Sequence, residues 1–397
     1  MVKEVRQRYN EAFSTAQYEA FLQKIHTDFP NQLEFRVAET PIFVPKSLKN
    51  KLIEACESII DTIVSPDFKQ KTQAAIPKHQ FVPNENDHSS FVAIDFAICQ
   101  NKAGELTPQL IELQGFASLY AFQAYIAEQF QQHFYCPENY SSFFNGFTKE
   151  SYLAELKKLL LGKHKPENVI LLEIYPETQK TRIDFAVTKH FFGIEPVCYT
   201  KIIREGRQIF YEKEGKKVQI KRIYHRLIFD ELETYPNLQT NFNMTDDVEV
   251  EWVGHPNWFF RISKYTLPLL ADNPYVPKSY FLHELQTYPT DLENYVLKPL
   301  YSFAGTGVKL NITAQDLDTI QDRENYLIQR KVQYVPVIQA PNGMVKCEIR
   351  MLYIWHDDAP RPVLATNLAR MSRGEMIGVR FNKDFDWVGG TVCFFEV

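Results

Sequence analysis

Apolar positions recur at helical spacing through the first ninety residues, and the period changes at residue 91. Residues 16–29 and 48–63 read as amphipathic helices, followed by a Pro/Asn-rich loop at 83–87. FVAIDFAIC (91–99) and QLIELQ (109–114) read as strands joined by the turn-like NKAGE. Helical spacing returns at 119–133 and 149–161, and the polar stretch 162–168 is the best linker. Beyond it, VILLEIY (169–175) is a strand, 181–192 a helix closed by Gly193, and EPVCY (195–199) a second strand. The hairpin-like IIREGRQIFYE and a third strand, VQIKRIY (218–224), follow. Strand, helix and strand at this spacing predict a small parallel sheet with right-handed crossovers. Residues 253–270 read as a loop entering a helix that PYVP ends. From residue 296 short strands dominate: VLKPLY, VKLNI, YLIQRKV, KCEIRMLYIW, VLATNLARM and TVCFFEV.

Several of these elements carry candidate chemistry. In VLKPLYSFAGTGVKL (296–310) a lysine strand runs into Ser302, Phe303, Ala304, Gly305, Thr306 and Gly307, and a second apolar run returns. Such a glycine hairpin can lay backbone N–H groups against phosphate oxygens, with Lys298 reaching the same anions. No Gly-Lys-Ser/Thr closes it, so it is not a Walker loop, and an ordinary hairpin is the alternative. On the 91–114 hairpin, Glu112 and Gln114 share one face of a strand and Asp95 can sit across from them. That all-oxygen cluster suits Mg²⁺ shared with phosphates; a solvated acidic face is the plain alternative. Asp95 and Glu112 each interrupt an apolar run, where a carboxylate needs a partner or a metal. Two converging acids repel without an ion, so Glu112→Gln is expected to leave the metal-free fold intact or slightly more stable.

In YLIQRKV, Gln329, Arg330, Lys331 and Val332 can present backbone groups to a purine ring, or can be plain strand. Glu348 and Arg350 share a face in KCEIRMLYIW, and an arginine so placed can fork onto phosphate oxygens. Arg370 and Arg373, in NLARMSRGE, are further phosphate or acyl-phosphate candidates, with surface ion pairs as the alternative.

Composition narrows the classes. The 397 residues suffice for two or three packed lobes. Hydrophobic residues make up 45% and charged residues 23%, as in an ordinary globular protein. A net charge of −5 argues against a general nucleic-acid binder. The six cysteines are scattered without a CxxC pair, which predicts reduced thiols in a cytoplasmic protein. The first residues, MVKEVRQRYNEAFS, lack a signal-peptide core, and no apolar run approaches the ~20 residues of a membrane helix. His225 and His255 have no spacing partner for zinc or a triad, and no GxSxG elbow disfavours a serine hydrolase.

Taken in order, these segments resemble the ATP-grasp superfamily, and within it circularly permuted members similar to glutathionylspermidine synthase and related peptide-ligase-like proteins. AIDFAICQNKAGELTPQLIELQG resembles the metal-binding carboxylate segment, placed here before the nucleotide strands. VILLEIYPETQKTRIDFAVTKHFFGIEPV, IKRIYHRLIFDEL and HPNWFFRISKYTLPLLAD are similar to Rossmann-like pre-ATP-grasp strands, a Tyr-Arg-Arg segment and a helix bearing a nucleotide lysine. SFAGTGV is similar to the flexible glycine loop and YLIQRKV to the adenine hinge. The resemblance implies an α/β fold of α+β lobes, circularly permuted. A helical region with the metal hairpin would occupy 1–162, the pre-ATP-grasp domain 163–285, and nucleotide strands with the rest of the catalytic lobe 286–397.

It also implies an ATP-dependent ligase that joins a small-molecule or peptide carboxylate to an amine or thiol through an acyl-phosphate. Such phosphoryl transfer needs positioning and charge neutralisation. Lys264 and Lys298 would hold phosphates, with Ser302, Gly305, Thr306 and Gly307 closing over them and Gln329, Lys331 and Val332 at the adenine. Asp95, Glu112 and Gln114 would bind Mg²⁺, Arg350 would neutralise the moving phosphoryl group, and Arg226, Arg370 and Arg373 would meet the substrate carboxylate or acyl-phosphate. Gln114 stands where the family has Asn, His225 replaces the first Arg of Tyr-Arg-Arg, and NKDFDWVGG matches the closing glycine segment loosely. A catalytically inactive nucleotide binder and an ATP-grasp kinase are the other readings. No nucleic-acid or membrane partner is expected, and the oligomeric state is not readable.

Overall fold

Helices form along the apolar spacing, and some of them start at a capping residue. The helix Thr15–Asp28 starts at Ser14, whose hydroxyl accepts from the Gln17 N–H while the Gln17 side chain returns to the Ser14 N–H. Thr148 and Ser151 make the same reciprocal cap for Lys149–Leu161. The helix Lys46–Ile63 buries Leu48, Leu52, Ala55, Ile59 and Ile63, spaced three or four apart. Each aliphatic side chain so buried contributes about 1.5–3 kcal/mol, which outweighs the poorer helix propensity of the β-branched ones. The computed structural model describes residues 1–301, 307–374, 377–378 and 381–397.

Three sheets position the site. The largest is antiparallel, in the order Gly389–Thr391, Val363–Ser372, Gly343–Ile354, Phe91–Gln100, Leu106–Gln114. Strands from the first and last thirds of the chain therefore share one sheet. Phe91–Gln100 is buried on both faces except at its last residue, and Asp95 is its one charged side chain. A carboxylate there requires a partner inside the protein.

The second sheet is parallel, ordered Glu251–Val253, Arg222–His225, Val169–Glu173, Glu195–Cys198. The chain enters at Val169–Glu173, crosses through the helix Arg182–Phe192 to Glu195–Cys198, and returns on the other side at Arg222–His225. This reversal creates a switch point at the C-terminal ends of Val169–Glu173 and Arg222–His225. The third sheet is antiparallel: Ser279–Phe281, Tyr326–Arg330, Tyr295–Pro299.

Three expected elements differ. VQIKRIY is two strands: Lys216–Ile220 closes an antiparallel meander with Ile203–Glu205 and Gln208–Lys213, whereas Arg222–His225 joins the parallel sheet. Residues 253–270 hold only the short helix Pro256–Arg261 and the 3-10 turns Lys264–Thr266 and Pro268–Leu270. The apolar return after the glycine loop is a single bridge, Leu297 to Lys309, rather than a strand. Among the described residues no helix is long and apolar enough to cross a membrane.

Candidate active site

A β-bulge builds the centre of the site. Asp95 pairs with Glu112, but the next residue, Phe96, pairs with Leu110, so Ile111 is left over. Bulges free backbone groups and re-aim side chains beside functional sites. Here the freed Ile111 carbonyl accepts a hydrogen bond from Lys298 Nζ at 3.1 Å. Lys298 lies on Tyr295–Pro299, so this contact joins the third sheet to the first. Gln329 Oε1 accepts a second bond from the same ammonium at 2.6 Å. Burial lowers the Lys298 pKa to about 8, against the opposing pull of Glu112.

Lys264 arrives from below the same strand. Gly115 donates to the Ile262 carbonyl at 2.7 Å, and a Cβ on Gly115 would lie 2.4 Å from the Trp258 carbonyl oxygen. Only glycine permits that approach, which seats the Lys264 turn against the Glu112 strand. Burial lowers the Lys264 pKa as well, opposed by Glu112 and Asp230. Burial works to raise the Glu112 carboxyl, but Lys264, Arg350, Arg370 and Lys298 outweigh it and hold it below its ordinary value. Gln114 Nε2 donates to Glu112 Oε1 at 2.9 Å, as expected for neighbours on one face of a strand.

Asp95 departs from the open oxygen cluster expected of it. Arg350, directly across the ladder, grips it with Nε at 2.5 Å and Nη2 at 2.6 Å. Arg370 Nη2 adds a third contact at 2.8 Å and also pairs with Glu348. Glu348 in turn accepts from the Tyr334 hydroxyl at 2.7 Å, and burial pushes that phenol well above its usual pKa, so it remains a donor. Arg350 stands 3.7 Å from Glu112, which links the chain Tyr334–Glu348–Arg370–Asp95–Arg350 to the lysine-bearing side.

The remaining candidates fall around this centre. The Lys331 N–H donates to the Asn294 carbonyl at 2.7 Å, its ammonium meets Asn311 at 3.4 Å, and Val332 is half-buried in the connection after the strand. Gly307 packs on Pro299, where a Cβ would fall 2.7 Å from Cγ. Ser302, Gly305 and Thr306 lie outside the described residues. Arg373 is not brought to the centre; its guanidinium donates to Asn342.

Arg226 and His225 sit at the switch point of the parallel sheet, where the Arg226 N–H donates to the Leu172 carbonyl at 3.1 Å. The Arg226 guanidinium lies 4.8 Å from the centre of the Phe116 ring and 5.6 Å from that of Phe185. Among the described residues its Nε and Nη1, and both His225 nitrogens, are buried without a partner. Burial lowers the His225 pKa to about 3, so the ring is neutral. Burial raises the neighbouring Glu173 to about 8 despite Arg226. Phe116 follows Gln114 by two residues, so this second cluster adjoins the first.

A search of solved structures places this arrangement among known folds. A glutathione synthetase-like effector (GSS30) from Globodera pallida, solved in apo form, matches over 100% of this chain and 99% of its own, with a TM-score of 0.60 and 10% sequence identity. The mixed α/β fold is like that of this glutathione synthetase-like effector. No protein-family model matches the sequence, and no curated protein does. At 10% identity the likeness is one of architecture, so the chemistry rests on the side chains described above.

Two buried ammonium groups, Lys264 and Lys298, act on the Glu112 carboxylate, and such cations can meet anionic oxygens. By contrast, no group of three or more His, Cys, Asp or Glu that could hold a metal occurs among the described residues. Asp95 is committed to two guanidiniums, whereas Gln114 donates to Glu112, the carboxylate on which the lysines act. Tyr334, Glu173 and the Ile111 carbonyl were not foreseen. Glu348 shares its face with Arg350, but the bulge at Ile111 carries no glycine or proline to announce it.

Proposed function

We propose that the chain is an ATP-dependent ligase that joins a carboxylate to an amine or thiol through an acyl-phosphate. The observation that carries this reading is the convergence of Lys264 and Lys298, from separate segments, on Glu112 beside Arg350. Lys264 and Lys298 hold the triphosphate, and Arg350, fixed in direction by Asp95, neutralises charge on the phosphoryl group as it moves to the substrate carboxylate. Arg370 keeps Asp95 and Glu348 in place behind it. Arg226, with two unused N–H groups at the switch point, receives the acid substrate. Glu112 and Gln114 would hold Mg²⁺ arriving with the nucleotide, which would supply further neutralisation of the triphosphate. The arrangement by which residues 91–114 precede the nucleotide strands is read as a circular permutation of the ATP-grasp order.

A second reading, a nucleotide binder without turnover, is favoured by one feature: Asp95 is closed off by Arg350 and Arg370. The two are separated by measuring ADP and inorganic phosphate with mixtures of acids and amines. Release of both only when acid and amine are present supports the ligase. Phosphate retained on the product indicates a kinase, and tight Mg·ATP binding with neither released across acid and amine libraries supports the nucleotide binder and overturns the ligase.

A further inference from the structure

A cavity of about 470 Å³ opens beside the helix Lys3–Ala12, where Lys3, Arg6, Gln7, Asn10 and Glu11 of that helix and Gln339 of the strand Ile338–Ala340 line it. Its volume is in the range of small-molecule pockets, and none of its lining residues belongs to the lysine-bearing site. Asn10 joins the helix to that strand. Its amide nitrogen donates to the Gln339 carbonyl at 2.9 Å, and its amide oxygen accepts from Arg6 Nε at 3.0 Å and Nη2 at 2.6 Å. Arg6 Nη1 donates to the Thr40 hydroxyl. The guanidinium is thereby held in one direction, 4% exposed, with its carbon 4.3 Å from the centre of the Tyr9 ring.

Those acceptors are all neutral, and among the described residues no carboxylate pairs with Arg6. Glu39, next to Thr40 in the chain, is engaged by Arg36 and by the Trp387 N–H at 2.9 Å. Burial lowers the Arg6 pKa to about 10, opposed by Tyr9, whose own phenol burial keeps protonated. A buried cation without an anion is costly. Three of its five N–H groups are used by these bonds, which leaves two for an incoming acceptor. The rest of the lining says what kind of anion fits. Lys3 adds a second positive charge and Glu11 a negative one, a balance that suits a single carboxylate and disfavours a phosphate dianion. Gln7 and Gln339 add amide groups that can meet other polar atoms of the same molecule. We propose that this cavity binds a small organic monocarboxylate, its carboxylate held by Arg6 and Lys3 and its other polar atoms by the two glutamine amides, at a site separate from the proposed ligase centre.

Calorimetry and thermal melts of the full chain at constant ionic strength test this with N-acetylglycinate, its neutral isostere N-acetylglycinamide, and inorganic phosphate as competitor. N-acetylglycinate should bind saturably and raise the melting temperature, whereas the amide should do neither. Arg6→Met should weaken N-acetylglycinate about tenfold or more, the scale of hydrogen bonds to a charged group. Two exposed positions should move the affinity in opposite directions: Lys3→Glu should weaken it about threefold, and Glu11→Gln should tighten it. Any of four results overturns the assignment: no saturable binding of the acid, amide binding as tight as the acid, displacement by phosphate at concentrations below the acid's own dissociation constant, or affinities unchanged in the variants. Should Arg6→Met fail to fold, the Lys3→Glu and Glu11→Gln comparisons decide.

Discussion

Lys298 Nζ donates to the main-chain oxygen of Ile111, 187 residues away in sequence, at 3.1 Å. The carbonyl lies on the edge strand of its sheet, at the bulge that leaves Ile111 unpaired between Leu110 and Glu112. One irregularity in one strand thus docks the sheet carrying Lys298 against the sheet carrying Asp95, Glu112 and Arg350. The site is assembled from both ends of the chain at this point.

Lys298 should control both the strength and the pH dependence of nucleotide binding. Lys298→Met should weaken Mg·ATP by about 1.5–3 kcal/mol, the range for hydrogen bonds to charged groups. Burial lowers the free ammonium pKa to about 8, and a bound polyphosphate favours the charged form and raises it. Binding near and above pH 8 therefore takes up a proton, so affinity falls as pH rises through that region. Calorimetry in buffers of different ionisation enthalpy measures that proton. A wild-type affinity flat from pH 7 to 9.5, with unchanged affinity in Lys298→Met, removes this lysine from the site.

Asp95 should behave as a structural anchor. It is 1% exposed and grips Arg350 at 2.5 and 2.6 Å. Removing one partner of a buried pair leaves the other charge uncompensated, so Asp95→Asn should cost about 3–5 kcal/mol in urea unfolding without added metal. A loss below about 1 kcal/mol, coupled to loss of Mg²⁺-dependent thermal stabilisation, would return Asp95 to the role of a metal ligand.

The same residue marks how far the sequence can be read. A carboxylate in the middle of FVAIDFAIC announces that it needs a partner, and periodicity placed it correctly on a buried strand. Whether that partner is a metal or an arginine is not written locally, because Arg350 lies 255 residues further on. The helices at 48–63 and 149–161 were legible through their apolar faces, and the second also has a local cap at Thr148. VQIKRIY was not, because its two halves are separated only by Lys221, which carries no turn signal, and they join different sheets. There tertiary pairing overrides local pattern. Lys298 and Lys264 were singled out by order along the chain, whereas Tyr334 and Glu173 are placed by neighbours that no spacing rule supplies.

Glu112→Gln reverses the expectation drawn from two converging acids. Asp95 is neutralised by guanidiniums, and Glu112 faces Lys264, Lys298 and Arg350 rather than a bare carboxylate. The substitution should therefore destabilise the metal-free protein at pH 7. Because the folded pKa is depressed, this stabilisation is present above the ordinary carboxyl value of 4.5 and lost as pH falls through the folded value. Wild type and variant should converge in acid. A melting temperature equal to or above wild type at pH 7 contradicts this electrostatic picture.

Glu173 should show the opposite pH signature. It is 3% exposed at the C-terminal end of the central parallel strand, and burial raises its pKa to about 8, with Arg226 opposing and Glu231 reinforcing the shift. Between the ordinary carboxyl value of 4.5 and about 8 the folded protein holds a proton on Glu173 that the unfolded chain has released. Stability from this group is therefore fully present below the ordinary value, declines as pH rises, and is gone above the folded value. Glu173→Gln keeps the shape and the neutral hydrogen-bonding group without the titration. It should flatten the stability profile between pH 5 and 8 and be more stable than wild type at pH 8.5, by about 2–4 kcal/mol at most. The His225 ring, held neutral in the folded protein, adds an opposite slope of its own up to its ordinary value of 6.5, which is common to both proteins and cancels in their difference. Urea unfolding of both proteins at pH 5.5, 7 and 8.5 measures the difference. If the two profiles run parallel, Glu173 is ionised in the folded protein and is paired with Arg226 at the switch point.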